Sequence, residues 1–431
     1  MTRRSIAHVL ALLVGAAMAA PAAEPGAAGP ASPLRLSRRQ AVSMAVSHNP
    51  AISAAREQVE QARARVVEAS ALPDPAFAAT LEEQSSFLRL RSATAKDIGV
   101  ALALPFPGKL RLAGNVARAA LRSAQFALTQ IEQQLSAQTA QAYDALLVTL
   151  RHRDDLTRAR DLARDFLAKT EDRFRAGTAA KLDIIKARVD VAQAENDLIA
   201  NQRATTVALA ALDRLIGVGL GTAVEPTDDL DLPSALPELE VLERQAMLAR
   251  PELQGLAADR QGARDATTLA RRWWQPDLNL TLSRNFTAGD PPAYSTALSF
   301  GLPLFFGQHD KGYIAEARHR EAELDAASQD LAAQVGLDVR TAYAATSTAT
   351  RQAVYLRDEL LPEAREAYRI VSVSYGLGGA SALDLLDAKR TLVEAESQYA
   401  EALGAANDAR ADLERAVGAA LPQEVGAHDA H

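Results

Sequence analysis

Phe174-Arg-Ala-Gly177-Thr-Ala179-Ala-Lys181-Leu182-Asp183-Ile-Ile-Lys186-Ala187 reads against Tyr375-Gly-Leu-Gly378-Gly-Ala380-Ser-Ala-Leu383-Asp384-Leu-Leu-Asp387-Ala388, an offset of 201 positions. The register runs on without a gap through Glu195/Glu396 and Leu212/Leu413 to Gly217/Gly418. The same offset relates Pro50 to Pro251 and Pro75 to Pro276. Solenoid units run to roughly 20–50 residues, so this period is no repeat array. It marks a duplicated half-molecule within the 431-residue chain.

Each half combines two kinds of segment. The first is very long helix. Between Lys109 and Arg175 there is no proline and only one glycine, Gly114. Leu121, Ala124, Leu128, Ile131 and Leu135 recur at helical spacing on one face. Such a helix would span about 100 Å at 1.5 Å per residue, too long for a compact domain. The second half repeats the rod from about Gln308 to Tyr375, with Pro362 as the expected kink. Each rod meets a Gly-containing turn and returns as a second helix, over 181–217 and 381–417.

The second kind of segment is short alternating strand. Leu278, Leu280 and Leu282 alternate with Asn279, Thr281 and Ser283. Beyond a turn at 288–292, Tyr294, Thr296, Leu298, Phe300 and Leu302 alternate with small or polar residues. Phe77/Ala79/Leu81 and Ile98/Val100/Leu102/Leu104 match them in the first half. Period two with unlike faces marks a strand between two environments. The length suits a tilted transmembrane strand of roughly 9–11 residues. Trp273, Trp274 and seven of ten phenylalanines (77, 87, 106, 286, 300, 305 and 306) lie in or beside these hairpins, in a chain only 5% aromatic. That clustering resembles the aromatic girdles of outer-membrane barrels, with Trp273, Trp274, Phe286 and Phe300 as the interface candidates. Two hairpins of a soluble sandwich would alternate as well.

Arg3-Arg4 and the apolar run from Ile6 to Ala20 read as a secretory signal peptide over 1–20, followed by a flexible Ala/Pro/Gly leader over 21–35. Cysteine is absent, which excludes disulfides and thiolate metal sites. The formal charge is −7 and no basic block points to nucleic acid. No further segment is apolar enough for a helical span. An exported chain with membrane-grade strands but no membrane helix belongs in an outer membrane. Four strands cannot close a barrel, so closure requires further copies of the chain.

The two tip repeats, Phe174-x-x-Gly177 and Tyr375-x-x-Gly378, each followed by Leu-Asp, carry a family likeness. So do the helix starts Asn49-Pro50 and Arg250-Pro251 and the hairpins between helices. From about residue 36 to 418 the chain resembles the TolC-family outer-membrane efflux factors. That resemblance implies a mainly α chain with a small β-barrel part: duplicated long helical hairpins forming a trimeric periplasmic α-helical tunnel, continuous with a 12-stranded outer-membrane barrel of four strands per protomer. It implies a first repeat over 36–217 (β-hairpin 75–104, helical hairpin 109–217), an equatorial linker over 218–238, a second repeat over 239–418 (β-hairpin 276–303, helical hairpin 308–417) and a disordered tail over 419–431.

By the same resemblance the tunnel closes at the helix turns, and Asp384 and Asp387 are the constriction carboxylates, at i and i+3 on one helix face. Copies of the chain would gather them into a ring that favours cations. The other half has Asp183 but Lys186, so the ring belongs to one half. Acids at a helix start also simply oppose the macrodipole. Family members often place a base where this chain has Ala380; Arg173 and Lys181 are the latch candidates. Phe174, Gly177, Asp183, Tyr375 and Gly378 are the expected adaptor-docking turns. The implied partners are the chain itself as a homotrimer, a periplasmic adaptor, an inner-membrane pump of the resistance–nodulation–division type, and outer-membrane lipid. Leu104-Pro-Phe-Pro-Gly108-Lys109 is similar to a junction in the heavy-metal cation branch, although structurally it is only a turn. Drug efflux and type I protein secretion remain alternatives, as do a periplasmic adaptor and a coiled-coil scaffold. The seven histidines form no helical metal pair and no catalytic motif occurs, so neither an enzyme nor a cofactor or resident metal is expected.

Overall fold

The computed structural model describes residues 33–82, 93–272, 274–287, 289–301 and 306–422, without the side chains of 306–310. The signal peptide over 1–20, most of the leader, Phe87, Trp273, Phe305 and the tail beyond 422 lie outside the described residues.

The first half runs β1 (Leu34–Leu36), α1 (Arg38–His48), α2 (Pro50–Ser70), β2 (Ala76–Glu82), β3 (Ala95–Leu104), α3 (Lys109–Arg175) and α4 (Lys181–Ile216). A short strand, β4 (Val224–Pro226), lies in the connection. The second half follows with α5 (Leu239–Ala249), α6 (Pro251–Ala270), β5 (Leu278–Thr287), β6 (Ala293–Phe300), α7 (Phe306–Tyr355), a π-helical turn (Leu356–Leu360), α8 (Leu361–Leu377) and α9 (Ala382–Val417). The returning helices α4 and α9 are both 36 residues long and begin 201 positions apart.

The rod α3 is unbroken over 67 residues, about 100 Å, and packs on α1, α2, α4, α6 and α9. The second rod is not unbroken. Pro362 has no N–H to donate one turn back, and its ring crowds the carbonyl of Asp358. The chain widens into the π turn, where Leu361 N–H reaches Leu356 O, and α8 restarts with the proline in its first turn. The kink expected at Pro362 is therefore a local change of helix type.

Each half is closed at the same point by the same geometry. Asn49 and Arg250 break the α1–α2 and α5–α6 pairs and are buried. Asn49 Nδ2 donates to Leu215 O at 2.9 Å, and Arg250 Nη1 donates to Ala416 O at 3.1 Å. Both acceptors are late carbonyls of the returning helices, which lack intrahelical partners. Just beyond them Gly217 (φ 76°) and Gly418 (φ 77°) end the helices in the left-handed region. A Cβ on Gly217 would lie 2.9 Å from His48 O, and one on Gly418 3.3 Å from Ala249 O. Around each junction lies a small core: Ala41, Ala45, Leu212, Leu215 and Ile216 in one half, Leu242, Ala246, Leu413, Ala416 and Val417 in the other.

The end of the leader and the linker each carry a short strand. Leu34–Leu36 is a strand paired in parallel with Val224–Pro226, so residues 34–35 are ordered structure and the linker is partly strand. Leu36 is buried, and its carbonyl accepts from the fully buried Tyr143 hydroxyl at 2.9 Å and from Thr227 N at 3.0 Å. Burial pushes the Tyr143 hydroxyl up to about 12. Beside it, Asp144 is buried on α3 with Arg38 Nη2 at 2.9 Å, and Asp408 faces it from α9. Loss of hydration raises both carboxyls to about 6; Arg38 opposes this, while Asp228 and Glu414 (around Asp144) and Asp412 (around Asp408) add to it.

The four remaining strands form one antiparallel sheet in the order β2-β3-β5-β6, so the two hairpins join edge to edge through β3 and β5. The outer edges of β2 and β6 have no strand partner among the described residues.

Two measurements test these contacts. Gly217→Ala and Gly418→Ala should each lose at least about 1–2 kcal/mol from the left-handed backbone alone, and more from the backbone they strike. Gly177→Ala, which also has positive φ but nothing within 4 Å, should lose only the backbone part; equal losses by denaturant unfolding would refute the junction. The raised carboxyls bind protons more tightly folded than unfolded. Their stabilisation is complete below about pH 4 and lost as pH rises through about 6. The melting temperature should rise from pH 7.5 to 5, and Asp408→Asn should flatten that slope.

Candidate constriction at the helix tips and the wall of the sheet

The duplicated tips fold alike in backbone and differ in side-chain use. Gly177 (φ 74°) and Gly378 (φ 84°) turn the chain out of α3 and α8. In the first tip, Ala180 N donates to Asp183 Oδ2 at 3.2 Å. In the second, Ser381 N and Oγ donate to Asp384 Oδ2 at 2.9 and 2.8 Å, and Asp384 N donates back to Ser381 Oγ at 3.2 Å, a full capping box. These bonds from Ser381 hold the exposed Asp384 carboxyl below its ordinary range. Asp384 is thus a helix cap first. Asp387, one turn on, is exposed, and its carboxylate has no partner among the described residues.

The equivalent aromatics have opposite surroundings. Phe174 is 43% exposed, whereas Tyr375 is 2% exposed. The Tyr375 hydroxyl bonds Thr170 Oγ1 at 2.8 Å, Phe166 meets its ring edge-on, and the Arg173 guanidinium lies 4.5 Å from its centroid. Arg173 also donates to Tyr375 O at 2.8 Å and to Thr178 O at 3.4 Å. Of the docking residues expected from the sequence, Tyr375 is therefore a core anchor whose side chain has no free surface. Of the two latch candidates, Arg173 binds one tip to the other, while Lys181 is exposed; neither is bonded to Asp384 or Asp387. Sequence reasoning missed Lys389, which is buried on α9 and ion-paired with Asp190 of α4 at 2.5 Å. Its only signal was a base on the apolar face of a helix.

At the opposite end of the rods, the sheet has two unlike faces. Leu104, Leu278 and Phe300 share a register row, as do Leu102, Leu280 and Leu298, then Phe77, Val100, Leu282 and Thr296. The next rows carry Ile98, Arg284 and Tyr294, then Lys96 and Phe286. The reverse face carries alanine, serine, threonine, asparagine, Gly99, Glu82 and Asp97. Trp274, Phe286 and Phe300 are exposed, and Arg284 stacks on Phe286 and Tyr294 at 4.9 and 5.5 Å. Lys109, in the strand-to-helix turn, donates to Gln275 O and pairs with Asp277 at 3.0 Å, so it ties that turn to the other hairpin. Among the described residues no helix is long and apolar enough to cross a membrane, and no group of three or more histidine, aspartate or glutamate side chains is arranged to hold a metal.

The sequence matches the model of the family "Outer membrane efflux protein" twice, over residues 41–218 and 242–419. The two matches coincide with the two halves. The chain is 24% identical over 399 residues to the cobalt-zinc-cadmium resistance protein CzcC of Cupriavidus metallidurans, covering 91% of each. It is 26% identical over 384 residues to the pyoverdine export outer membrane protein OpmQ of Pseudomonas putida, covering 82% of this chain and 79% of that one. The fold superposes on the outer-membrane channel OprN with a TM-score of 0.76 at 19% identity, covering 88% and 89% of the two chains.

If Arg173 clamps the tips together, Arg173→Ala should speed amide exchange at residues 375–380. Arg173→Lys should not restore protection, because an ammonium lacks the planar fork that stacks and donates at once. Unchanged exchange in both variants would remove the clamp.

Proposed function

The chain belongs to the outer membrane efflux protein family, and we propose that it is the passive exit duct of a three-part export system. The observation that carries this reading is the sheet. Among the described residues it is two-faced and open at both edges, and it is covalently continuous with α3, which is about 100 Å long. Unpaired strand edges are intolerable in lipid, so further copies must close the sheet into a barrel. Three copies would give the twelve strands expected from the family resemblance, with the apolar rows and Trp274, Phe286 and Phe300 against lipid. The rods would extend from the barrel as a tunnel through the periplasm.

The tips would then form the far end of the tunnel, with Asp384 and Asp387 of each copy around its axis. Asp387 has the free carboxylate, so it is the stronger ring residue; Asp384 contributes charge while holding the cap. Arg173 and Tyr375 would keep each copy's two tips together in the closed state. Exposed Phe174, Leu182 and Leu383 offer an apolar surface for a periplasmic adaptor, which would couple the duct to an inner-membrane pump. The chain conducts and does not catalyse.

We assign divalent metal cations as the cargo, supported by the relative named for cobalt, zinc and cadmium resistance, which is matched over nearly its whole length. The relative named for pyoverdine export supports small organic chelators as the second reading. The Pro-Gly-Lys junction, whose Lys109 is engaged in the fold, adds modest support to the metal reading.

Purified protein in planar bilayers tests the duct. Wild type should give a small cation-selective conductance, and Asp384→Ala/Asp387→Ala should raise it or weaken its selectivity. A pore indifferent to the double substitution would return both residues to capping. No pore from a folded oligomer would end the channel reading.

A further inference from the structure

Duplication lets a contact inside the chain forecast one outside it. Within the chain the halves meet where the first rod, α3, packs on the second returning helix, α9. Val148 fills the space over Gly404, where an added Cβ would stand 2.6 Å from Val148 Cγ2. To either side, Gln141 Nε2 donates to Asp408 O at 3.4 Å and His152 Nε2 lies 3.9 Å from Glu401 Oε1.

The reciprocal surfaces belong to the second rod and the first returning helix. α4 packs on α3 and α1, and α7 packs on α9, α6 and α5, so these two are the outer helices. Leu135, Tyr143 and Leu146 of α3 correspond in packing to Val335, Tyr343 and Thr346 of α7, an offset of 200 positions. The π turn takes up one residue, and beyond it the offset is 201. Gln141, Val148 and His152 therefore correspond to Thr341, Thr348 and Gln352 on α7. Glu401, Gly404 and Asp408 correspond to Ala200, Arg203 and Val207 on α4. All of these counterparts are exposed. So are Tyr355 on α7 (64%) and Ile199 on α4 (65%). Each edge thus repeats, uncovered, a surface that is packed inside the chain.

The edges depart from their packed counterparts at one position. Where α9 has Gly404, α4 has Arg203, whose guanidinium has no partner among the described residues. At the matching height of the other edge is a groove of about 610 Å³, lined by Thr348, Gln352 and Tyr355 of α7 and by Gln398 and Glu401 of α9. Arg351 also borders it, but its Nε donates back to Ser347 O. The exposed Glu401 carboxylate, two side-chain amides and a tyrosine ring remain to receive a cation.

We propose that this groove is the socket for Arg203 of a second copy of the chain, whose α4 lies along α7 in the register that α9 takes on α3. The proposal deepens the duct reading, because it names the surface through which the copies meet. The two edges are unlike, so the contact is head-to-tail, and such contacts form rings when the rotation closes.

The test uses the full chain, which has no native cysteine, purified in detergent and treated with a short bis-maleimide. Ala200→Cys/Gln352→Cys should give a covalent ladder that ends at one closed oligomer. Val207→Cys/Thr341→Cys reads the same register and decides the matter if the first pair does not assemble. Each single substitution should give monomer only. So should Ala200→Cys/Gln329→Cys, because exposed Gln329 lies on the same rod about 35 Å from Gln352. Arg203→Glu should abolish most of the ladder, and Glu401→Arg in the same chain should restore it. Dimers from a single-cysteine chain would mean that like edges meet. No ladder from either pair would mean that another protein covers the edges. Either result overturns the proposal while the pore stands, and a ladder indifferent to Arg203→Glu overturns the socket. A full ladder from a chain that forms no pore overturns the duct reading instead.

Discussion

The 67-residue rod packs against α1, α2, α4, α6 and α9, and that packing requires the helices to be held in a fixed register. In this chain the main holding point is the junction at which each returning helix meets the broken helix pair that opens its half. Late carbonyls at Leu215 and Ala416 need donors from outside the helix, and Asn49 and Arg250 supply them. Gly217 and Gly418 allow the backbones to touch. Asp213 and its counterpart Glu414 then turn back to accept from the loops that follow, at Gly221 and Thr222 in one half and Leu421 in the other. With the junctions set, the long helices can align, and their outer ends carry the sheet and the tips.

Duplication preserves this geometry while letting the chemistry drift. Arg164–Glu195 and Arg365–Glu396 bridge the two helical hairpins at equivalent positions. Asn49 has become Arg250, which gains Asp338 and Glu252 as ion partners. The rods differ more. One is continuous, and the other passes through a π turn at Pro362. The half with the interrupted rod is also the half that carries Asp387.

The long elements were legible because their signals are local. Helix ends fell at Gly177, Gly217, Gly378 and Gly418, and strand faces followed from alternation of two. The parallel pair at Leu34 and Val224 was not legible: strands of three residues have too few positions to show a period. Nor were the opposite surroundings of Phe174 and Tyr375. Their local sequences are near copies, and burial of the tyrosine depends on Thr170, Phe166 and Arg173 from another helix. Asp384 could be read as a cap from Ser381-x-x-Asp384, and a cap and a ring residue occupy the same position on the helix. The Asp144–Asp408 pair left no trace, because nothing in sequence brings residues so far apart into one dry pocket.

The connection over 218–238 joins the halves in one polypeptide, and that join has a consequence for symmetry. A ring assembled from separate half-chains would repeat every substitution at every tip, so an acid at one tip would be an acid at all of them. Once the halves share a chain, neighbouring tips are independently mutable. In the proposed ring of copies, Lys186 and Asp387 would then occupy corresponding places in alternation, and one class of helix pair could soften while its neighbours stay rigid.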